Sequence, residues 1–341
     1  MGEIMSYQPP LTITAKTLNL IASISEQLGR WAERADQAQV LRLRRVNQIR
    51  TIQGSLAIEG NSLSIEQITA VLEGKPVIAP PREVQEVKNA LAVYAQFDDL
   101  DPFKETDLLH AHQVLMTGLV DELGTYRHGG VGVMSGNEVV HMAPPATQLS
   151  RLMTDLFTWL NGTEQHPLIA SAVFHYEFEF IHPFADGNGR MGRLWQSLIL
   201  AKWNPLFANL PIETLVYAHQ FEYYQAIASS TEQTDSAPFV EFMLGVIDTT
   251  LSEQLASTPQ ASPQDTPQAV TEILNRFAGL SIFCQQPRSR AELQKFCALK
   301  DREHFRKTVL IPLLDAGWLQ RSLPDKPNSP KQRYFHEVTQ R

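Results

Sequence analysis

A short stretch near the middle of the chain, Ile181–Arg193, combines residue types that suit neither a hydrophobic core nor an ordinary surface loop. It contains one histidine, one carboxylate, three glycines and two arginines. The histidine, His182, can act as a base near neutral pH because its pKa lies close to that range. The stretch therefore predicts proton transfer next to a site built by the remaining residues.

Three of those residues, Gly187, Asn188 and Gly189, can turn successive backbone N–H groups toward one point and form an anion-binding concavity. The residues that follow, 191–203, are mainly apolar and predict a helix. The glycines then lie at a helix N-terminus, where free N–H groups and the helix dipole favour an anion.

The charged side chains of the stretch indicate which anion is bound. Arg190 and Arg193 are three residues apart, so they share a face of the first helical turn and could point at the same polyphosphate. Asp186 fits among phosphate-binding groups if a Mg²⁺ ion lies between its carboxylate and the phosphates.

The stretch resembles the signature of the Fic family, His-x-Phe-x-(Asp or Glu)-Gly-Asn-Gly-Arg-x-x-Arg. Every specified position is matched, by His182, Phe184, Asp186, Gly187, Asn188, Gly189, Arg190 and Arg193. The resemblance implies transfer of AMP from ATP to a Ser, Thr or Tyr hydroxyl of a target protein. It implies His182 as general base, Phe184 as a packing residue, Asp186 as the Mg²⁺ ligand, and a nucleotide site formed by Asp186, Gly187, Asn188, Gly189, Arg190, Met191, Gly192 and Arg193.

The Asp-Gly-Asn-Gly run alone could also suggest a calcium-binding EF-hand loop. That loop needs an oxygen ligand at its fifth position and a glutamate at its twelfth. Arg190 and Ser197 occupy these positions, so the calcium interpretation fails.

A second motif lies at the end of a predicted helix of about 40–60. Ser55 and Glu59 are four residues apart and face the same way, and Gly60 predicts the helix end. They match the inhibitory motif (Ser or Thr)-x-x-x-Glu-(Gly or Asn) that many Fic proteins carry. The resemblance implies that Glu59 pairs with Arg193, which should hold the γ-phosphate, and so blocks productive ATP binding.

The segment 126–145 changes character, because two apolar runs flank Ser135-Gly136-Asn137 and predict a β-hairpin. The resemblance implies a flap over the active site, whose edge pairs with an extended segment of the target protein. The predicted lining of the nucleotide pocket then includes Val131, Gly132, Val133 and Met134.

Two adjacent tyrosines, Tyr223 and Tyr224, stand where family members often carry a Tyr-Tyr pair near the adenine and ribose. The resemblance therefore adds both to the predicted nucleotide site. An asparagine expected about seven residues later is replaced by Thr231, which weakens the predicted ribose contact.

The remaining pattern predicts a mainly α-helical fold. Apolar residues at helical spacing predict helices at 18–37, 64–72, 84–97, 106–119, 149–160, 168–181 and 238–251. Four regions are predicted: an N-terminal helical region (1–100), a Fic catalytic core (101–252), a linker (253–268) and a small winged-helix-like α+β domain (269–341).

The C-terminal domain has a composition of its own. Helices at 270–280, 289–296 and 302–316 and wing strands at 318–321 and 332–335 predict a winged helix. From Arg288 onward there are twelve Lys or Arg against six Asp or Glu. This basic surplus suits DNA, although such modules equally often bind proteins or support dimerisation.

Composition limits the other classes of function. The net charge of −8 argues against broad nucleic-acid affinity of the whole molecule. We expect no membrane span and no secretory signal, and the loose myristoylation pattern at 1–6 is too short to carry weight. The two cysteines suggest a reducing compartment, so a cytoplasmic location is expected.

Several alternatives remain open at this level. An ATP-sensing regulatory DNA-binding protein would use the same nucleotide site without catalysis. A Fic enzyme could also mainly remove AMP, or transfer phosphocholine, UMP or phosphate. Self-modification and a homodimer are further expectations from the family.

Overall fold

A computed structural model of the chain describes residues 7–34, 37–130, 132–135 and 138–257. In the C-terminal part it describes 270, 273–274, 276–277, 279–284, 286–299, 301–316, 318–322, 329 and 332–336. Within 33–45 and 132–141 the description is limited to the backbone. The chain divides into two compact units, Met1–Thr258 and Pro259–Arg341.

The first unit is built of eleven described α-helices and one β-hairpin. The helices are α1 (Ala15–Arg34), α2 (Gln37–Ile58), α3 (Ile65–Leu72), α4 (Pro81–Ala95), α5 (Glu105–Met116), α6 (Leu149–Gly162), α7 (Pro167–Ile181), α8 (Asn188–Trp203), α9 (Ile212–Ala218), α10 (Gln220–Gln233) and α11 (Ala237–Ser257). Short 3₁₀ turns at Ala146–Gln148 and Pro205–Asn209 lead into α6 and α9. The predicted helix-dominated fold is confirmed.

The helices on either side of the signature form the centre of this unit. Nearly every residue of α7 from Leu168 to Phe178 is buried, and so is α8 from Arg190 to Leu200. A helix that is buried all round must lie inside the domain. The sequence suggested a single apolar stripe for α7, but the structure surrounds the helix with α6, α8 and α11. The two helices are therefore a rigid support for the loop between them.

The N-terminal helices agree with the sequence except at their ends. The capping box of Ser64 and Gln67 begins α3 as predicted. In α1, Ile24, Leu28 and Trp31 are buried as expected. The helix begins at Ala15, three residues before the predicted start, and in its first turn Thr17 is buried whereas Leu18 is exposed.

Other boundaries shift by a few residues. The predicted helices at 84–97 and 106–119 are observed as α4 and α5, which begin and end slightly earlier. The predicted linker begins at 253, but α11 continues to Ser257. Its buried residues Leu251 and Leu255 continue the apolar face, so packing extends the helix past the predicted border.

The predicted hairpin is present. Strand β1 (Gly132–Ser135) pairs antiparallel with β2 (Glu138–Met142), with an irregularity between Val133 and Met134. The predicted turn residues Gly136 and Asn137, and Val131 before β1, lie outside the described residues.

The second unit has its own core. Its described helices are α12 (Leu280–Phe283), α13 (Arg290–Phe296) and α14, which consists of the consecutive stretches Arg302–Phe305, Arg306–Leu310 and Ile311–Asp315. Strands β3 (Gln320–Arg321) and β4 (Tyr334–Phe335) pair antiparallel, at the predicted wing positions. The predicted first helix, 270–280, falls partly outside the described residues. Ser289 caps α13 as the sequence indicates.

Both cysteines of the chain lie in this second core. Cys284 and Cys297 are buried free thiols, and burial raises the pKa of Cys284 to about 12 and that of Cys297 to about 11. Both thiols therefore stay protonated and act as small apolar residues. Within the described residues, every helix is too short or too polar to span a lipid bilayer.

Candidate active site

The loop 182–187, called the signature loop below, begins with a turn at the end of α7. His182 is the C-cap of α7 and adopts the left-handed conformation, with φ 50°. The backbone is fixed there by Arg127, which is buried and donates from Nε to the carbonyl of His182 at 2.7 Å. Its other nitrogens donate to the carbonyls of Gly129 and Pro144, which flank the hairpin. One side chain thus ties the histidine to both ends of the flap.

The inside of the signature loop is closed by packing. The ring of Phe184 is fully buried and stacks on His112, with ring centroids 3.7 Å apart. His112 Nδ1 accepts from the Gly124 N–H, so its Nε2–H donates to the carbonyl of Asp186 at 3.1 Å. The packing role predicted for Phe184 agrees with this geometry, and His112 is its stacking partner.

Asn188 also stabilises the loop rather than facing outward. Its amide nitrogen donates to the carbonyl of Phe184 at 2.8 Å and its amide oxygen accepts from the Phe184 N–H at 2.9 Å. The Asn188 side chain is therefore engaged within the loop, and its backbone N–H is the group left for an anion. In the first turn of α8 the N–H groups of residues 188–190 have no intrahelical acceptor.

The acidic residue of the loop lies in a charge cluster. Asp186 Oδ1 is 3.0 Å from Arg190 Nη2, and its Oδ2 is 3.3 Å from Arg82 Nη2. Arg82 and Arg190 both also approach Glu86 on α4. Asp186 keeps 41% of its side chain exposed, so these pairs are screened and can exchange partners.

The second arginine of the signature faces a different helix. Arg193 is 2% exposed, and its Nη2 donates to Glu59 Oε1 at 2.6 Å. It also donates to the hydroxyl and the carbonyl of Ser55. Arg190 and Arg193 were expected to bind the same ligand. Instead, Arg190 pairs with Asp186 and approaches Glu86, whereas Arg193 pairs with Glu59.

The Glu59 carboxylate also lies against Gly189 at the start of α8. A Cβ added to Gly189 would be 2.5 Å from Glu59 Oε1, so only glycine leaves room for this contact. The carboxylate therefore lies between Gly189, in the first turn of α8, and the guanidinium of Arg193.

Several contacts fix the helix that delivers Glu59. In α2, Asn47 donates to the carbonyl of Asn209 at 2.7 Å, and Gln220 of α10 donates to the carbonyl of Ile58 at 2.7 Å. Gly54 approaches α9 so closely that a Cβ there would lie 2.7 Å from the backbone of Glu213. Helix α2 is thus anchored along its length before it ends at the site.

Three residues predicted to bind nucleotide lie in the core instead. Met191 is fully buried. Gly192 faces α7, and a Cβ there would lie 2.6 Å from the ring of His175. The hydroxyl of Tyr223 is bonded to His175 Nε2 at 3.1 Å, with the phenol ring 1% exposed. The structure gives these three positions packing roles.

The remaining predicted residues lie at the surface of the site or outside the description. Tyr224 is exposed enough to meet a ligand. For Gly132, Val133 and Met134 the structure gives only the backbone of β1, and Val131 is outside the described residues. The hydroxyl of Thr231 donates to the carbonyl of Ile227 at 3.0 Å, so it is engaged within its own helix.

Sequence reasoning missed four polar residues around the site: Arg82, Glu86, Arg127 and Glu179. Only Glu179 left a signal in the sequence, since His175, Glu179 and His182 have helical spacing and share one face of α7. Arg127 and the two residues of α4 come from distant parts of the chain, and no local pattern marks them.

The described residues contain no group of three or more His, Cys, Asp or Glu side chains that could hold a metal ion. A Mg²⁺ ion carried by substrate phosphates needs only one or two protein carboxylates, however. The half-exposed Asp186, next to a concave N-terminus that favours phosphate, fits that requirement.

The fold and site together define a mainly helical protein with an anion-binding turn between two buried helices and a histidine at its edge. The chain belongs to the Fic family. Residues 100–200 match the Fic/DOC family, and residues 278–335 match the C-terminal domain described as "Filamentation induced by cAMP protein Fic-like".

Known proteins resemble the chain over different lengths. The crystal structure of a Fic family protein from Desulfovibrio desulfuricans G20 is 48% identical, has a TM-score of 0.72 and covers 98% of this chain and 100% of that one. Fic-1 from C. elegans, at 23% identity and a TM-score of 0.61, covers 73% of this chain and 74% of its own and shares the fold.

A curated relative, the protein adenylyltransferase Fic of Culex quinquefasciatus, is 31% identical over 227 residues. The match covers 63% of this chain and 43% of the relative. The chain thus spans less than half the length of that relative.

Proposed function

We propose that the protein transfers AMP from ATP to a hydroxyl group of a target protein. One observation carries the proposal: His182 lies beside an anion-binding helix N-terminus whose buried arginine, Arg193, is held in place for an acidic ligand. The relatives named protein adenylyltransferase support the same reaction.

In the reaction, His182 accepts the proton of the target hydroxyl. The hydroxyl oxygen forms a bond to the α-phosphorus, the bond from that phosphorus to the bridging oxygen of the β-phosphate breaks, and pyrophosphate leaves. The first-turn N–H groups of α8 and the guanidinium of Arg193 neutralise the phosphates. Positioning and charge stabilisation supply most of the acceleration in such transfers.

Asp186 is the residue that would hold Mg²⁺. When bound, the ion would neutralise phosphate charge and orient the leaving group. Arg82, which is largely exposed, contacts the same carboxylate through Oδ2 and would have to release that oxygen for an ion to bind it. Arg190 keeps the other carboxylate oxygen in place.

Glu59 holds this site in an inhibited state. Its carboxylate takes the anion position at Arg193 that the terminal phosphate of ATP would need, so ATP binds without the geometry for transfer. Because Glu59 is one-third exposed, it can leave while α2 stays anchored. The same carboxylate could orient a water molecule for AMP removal, which makes the direction of the net reaction a separate question.

The flap supports a protein target. The edge of β1 and β2 can pair with an extended segment, which fixes a Ser, Thr or Tyr hydroxyl through backbone contacts with little demand on sequence. The target, a cytoplasmic location, a homodimer and a DNA- or protein-binding role of the C-terminal unit are proposals from the family and the basic composition.

Transfer of a radioactive label tests the reaction directly. The variant Glu59→Gly is incubated with a cell extract and ATP labelled at the α- or the γ-phosphate. AMP transfer attaches the α label to protein and leaves the γ label in pyrophosphate. Attachment of the γ label without the α label, above the level in extract lacking the protein, would instead show phosphate transfer. Binding of ATP without any attachment would favour a nucleotide sensor.

A further inference from the structure

Helix α7 carries a carboxylate, Glu179, close to His182. The proposed reaction gives it no role. His175, Glu179 and His182 lie at i, i+4 and i+7 and share one face of the helix. The Glu179 side chain is only 10% exposed, and its Oε2 lies 4.0 Å from His182 Nδ1. Such a carboxylate is costly to bury unless positive or hydrogen-bonding groups surround it.

Glu179 remains ionised in this position. Burial alone would raise the pKa of its carboxyl, but His175, His182 and the guanidinium of Arg193 together hold that pKa below its ordinary value. The lowered pKa favours the charged carboxylate, which lies next to His182.

The other imidazole on this face, His175, has a hydrogen-bond partner on each ring nitrogen. His175 Nδ1 is 2.6 Å from Gln196 Oε1, an acceptor, so Nδ1 carries the proton. Its Nε2 then accepts from the hydroxyl of Tyr223. Both nitrogens of His175 are therefore used, and its Nε2 lies 3.8 Å from Glu179 Oε1.

The two oxygens of the Glu179 carboxylate differ, since Oε2 is the one near His182 Nδ1 and Oε1 is the one near His175. Among the described residues, no hydrogen-bond partner reaches Glu179 Oε1. Gly192 provides the space for this arrangement, since a Cβ there would lie 2.6 Å from the His175 ring and 3.1 Å from Glu179 Oε1. A glycine in the middle of a buried helix, where alanine is preferred, thus has a local reason.

We propose that Glu179 is a positioning residue that holds the proton of His182 on Nδ1 and leaves the Nε2 lone pair for the target hydroxyl. The inference rests on the proposed AMP transfer for its catalytic meaning. Arg127 fixes the backbone of His182, and Glu179 lies 4.0 Å from its ring Nδ1, close enough to pair with that nitrogen when the substrate complex forms.

The proton balance of the step is simple. The target hydroxyl gives its proton to Nε2 as its oxygen bonds to the α-phosphorus, and the imidazole becomes an imidazolium. Glu179 stays ionised, keeps the proton on Nδ1 and stabilises the new positive charge. A distance of 4.0 Å before substrate binding is compatible with this role, because catalytic hydrogen bonds often shorten in the reacting complex.

The test uses the full-length chain with Glu59→Gly as the active parent and Glu179→Gln added to it. Glutamine keeps the size and removes the charge. The matched control is Glu177→Gln, a second buried carboxylate on the same helix, which pairs with Tyr7 instead. We expect Glu179→Gln to lower kcat on the order of tenfold or more, with little change in KM for ATP. The acid limb of its pH–rate profile should move to lower pH, and Glu179→Asp should restore part of the rate.

The tautomer is measured separately, by ¹⁵N NMR of the imidazole rings, with His182→Asn used to assign the signal. The parent should show His182 protonated on Nδ1, and Glu179→Gln should shift it toward the other tautomer. A parent protonated on Nε2, or a Glu179→Gln variant whose tautomer, kcat and pH profile match those of Glu177→Gln, overturns the inference. An inactive parent with the Nδ1 tautomer would contradict AMP transfer and leave the positioning role standing.

Discussion

The carboxylates around α8 form two groups with opposite properties. The front group lies at the signature loop, and the back group packs against α8 from α7 and α9. At the front, Asp186 and Glu59 keep 41% and 33% of their side chains exposed. Each pairs with an arginine that a bound phosphate could contact instead. At the back, Glu213 is buried and accepts from the Ser197 hydroxyl, and Glu179 is only 10% exposed and lies within 4.0 Å of His175 and His182. Exposed pairs exchange easily, whereas buried pairs are strongly destabilised when one partner is removed. The front is therefore suited to binding and regulation, and the back to holding geometry.

The largest expected effect belongs to the base at the boundary of the two regions. In the Glu59→Gly background, His182→Ala should lower the rate of AMP transfer on the order of a hundredfold or more, because the general base is lost. Affinity for ATP, measured by calorimetry, should change little. A rate equal to that of the parent would remove His182 from the mechanism.

The next effect concerns the front pair. A charge-assisted hydrogen bond such as that between Glu59 and Arg193 is worth about 1.5–3 kcal/mol, so removing it should raise the transfer rate on the order of ten- to a hundredfold. Glu59→Gln, which removes only the charge, should raise it less than Glu59→Gly. Initial rates of label transfer from α-labelled ATP provide the measurement. Unchanged rates in both variants would make the pair a structural contact.

The third prediction concerns Glu213 in the back group and the effect of pH on the free energy of unfolding. Burial raises the pKa of Glu213 to about 7 from its ordinary value of 4.5. The folded chain therefore keeps a proton that the unfolded chain releases, and the free energy of unfolding contributed by this group falls as pH rises from about 4.5 to about 7. Between pH 5 and pH 8 the loss should be about 2 kcal/mol.

Glu213→Gln supplies the control for that measurement, since it cannot ionise. Urea unfolding of parent and variant at both pH values should show the parent losing stability relative to the variant. If the free energy of unfolding depended on pH in the same way in both proteins, Glu213 would be ionised in the folded chain. Its surroundings would then be better hydrated than the structure indicates.

The smallest expected effect concerns the close packing around Gly192 in α8. Gly192→Ala introduces a Cβ 2.6 Å from the His175 ring, so we expect a destabilisation of about 1–2 kcal/mol despite the better helix propensity of alanine. Gly29→Ala is the matched control, because that glycine lies in the exposed face of α1 with nothing within 4 Å. It should stabilise the protein slightly. Equal thermal unfolding of the two variants would show that the contact at Gly192 is not restrictive.

Much of the front could be predicted from the sequence, because its residues are consecutive. The signature loop, the glycine helix start, the packing role of Phe184 and the hairpin follow from local spacing and turn chemistry. The partnership of Glu59 with Arg193 needed family resemblance, since 134 residues separate them.

The back could not be predicted in the same way. The spacing of His175, Glu179 and His182 is visible, but only packing shows that Gln196 and Tyr223 use both nitrogens of His175. Tyr223 illustrates the limit: its neighbour Tyr224 is exposed while Tyr223 is buried, and adjacent residues on a helix differ in direction by about 100°. Which of two neighbours meets the ligand is decided by tertiary contacts.

The most direct test of the central claim is intact-mass spectrometry after incubation with ATP and Mg²⁺. Three proteins are compared: the parent chain, Glu59→Gly, and Glu59→Gly combined with His182→Ala. Release of Arg193 followed by transfer through His182 predicts an increment of AMP mass on the single variant, little on the parent and none on the double variant. An AMP increment that persists in the double variant, or one of equal size in the parent and the single variant, would contradict the account.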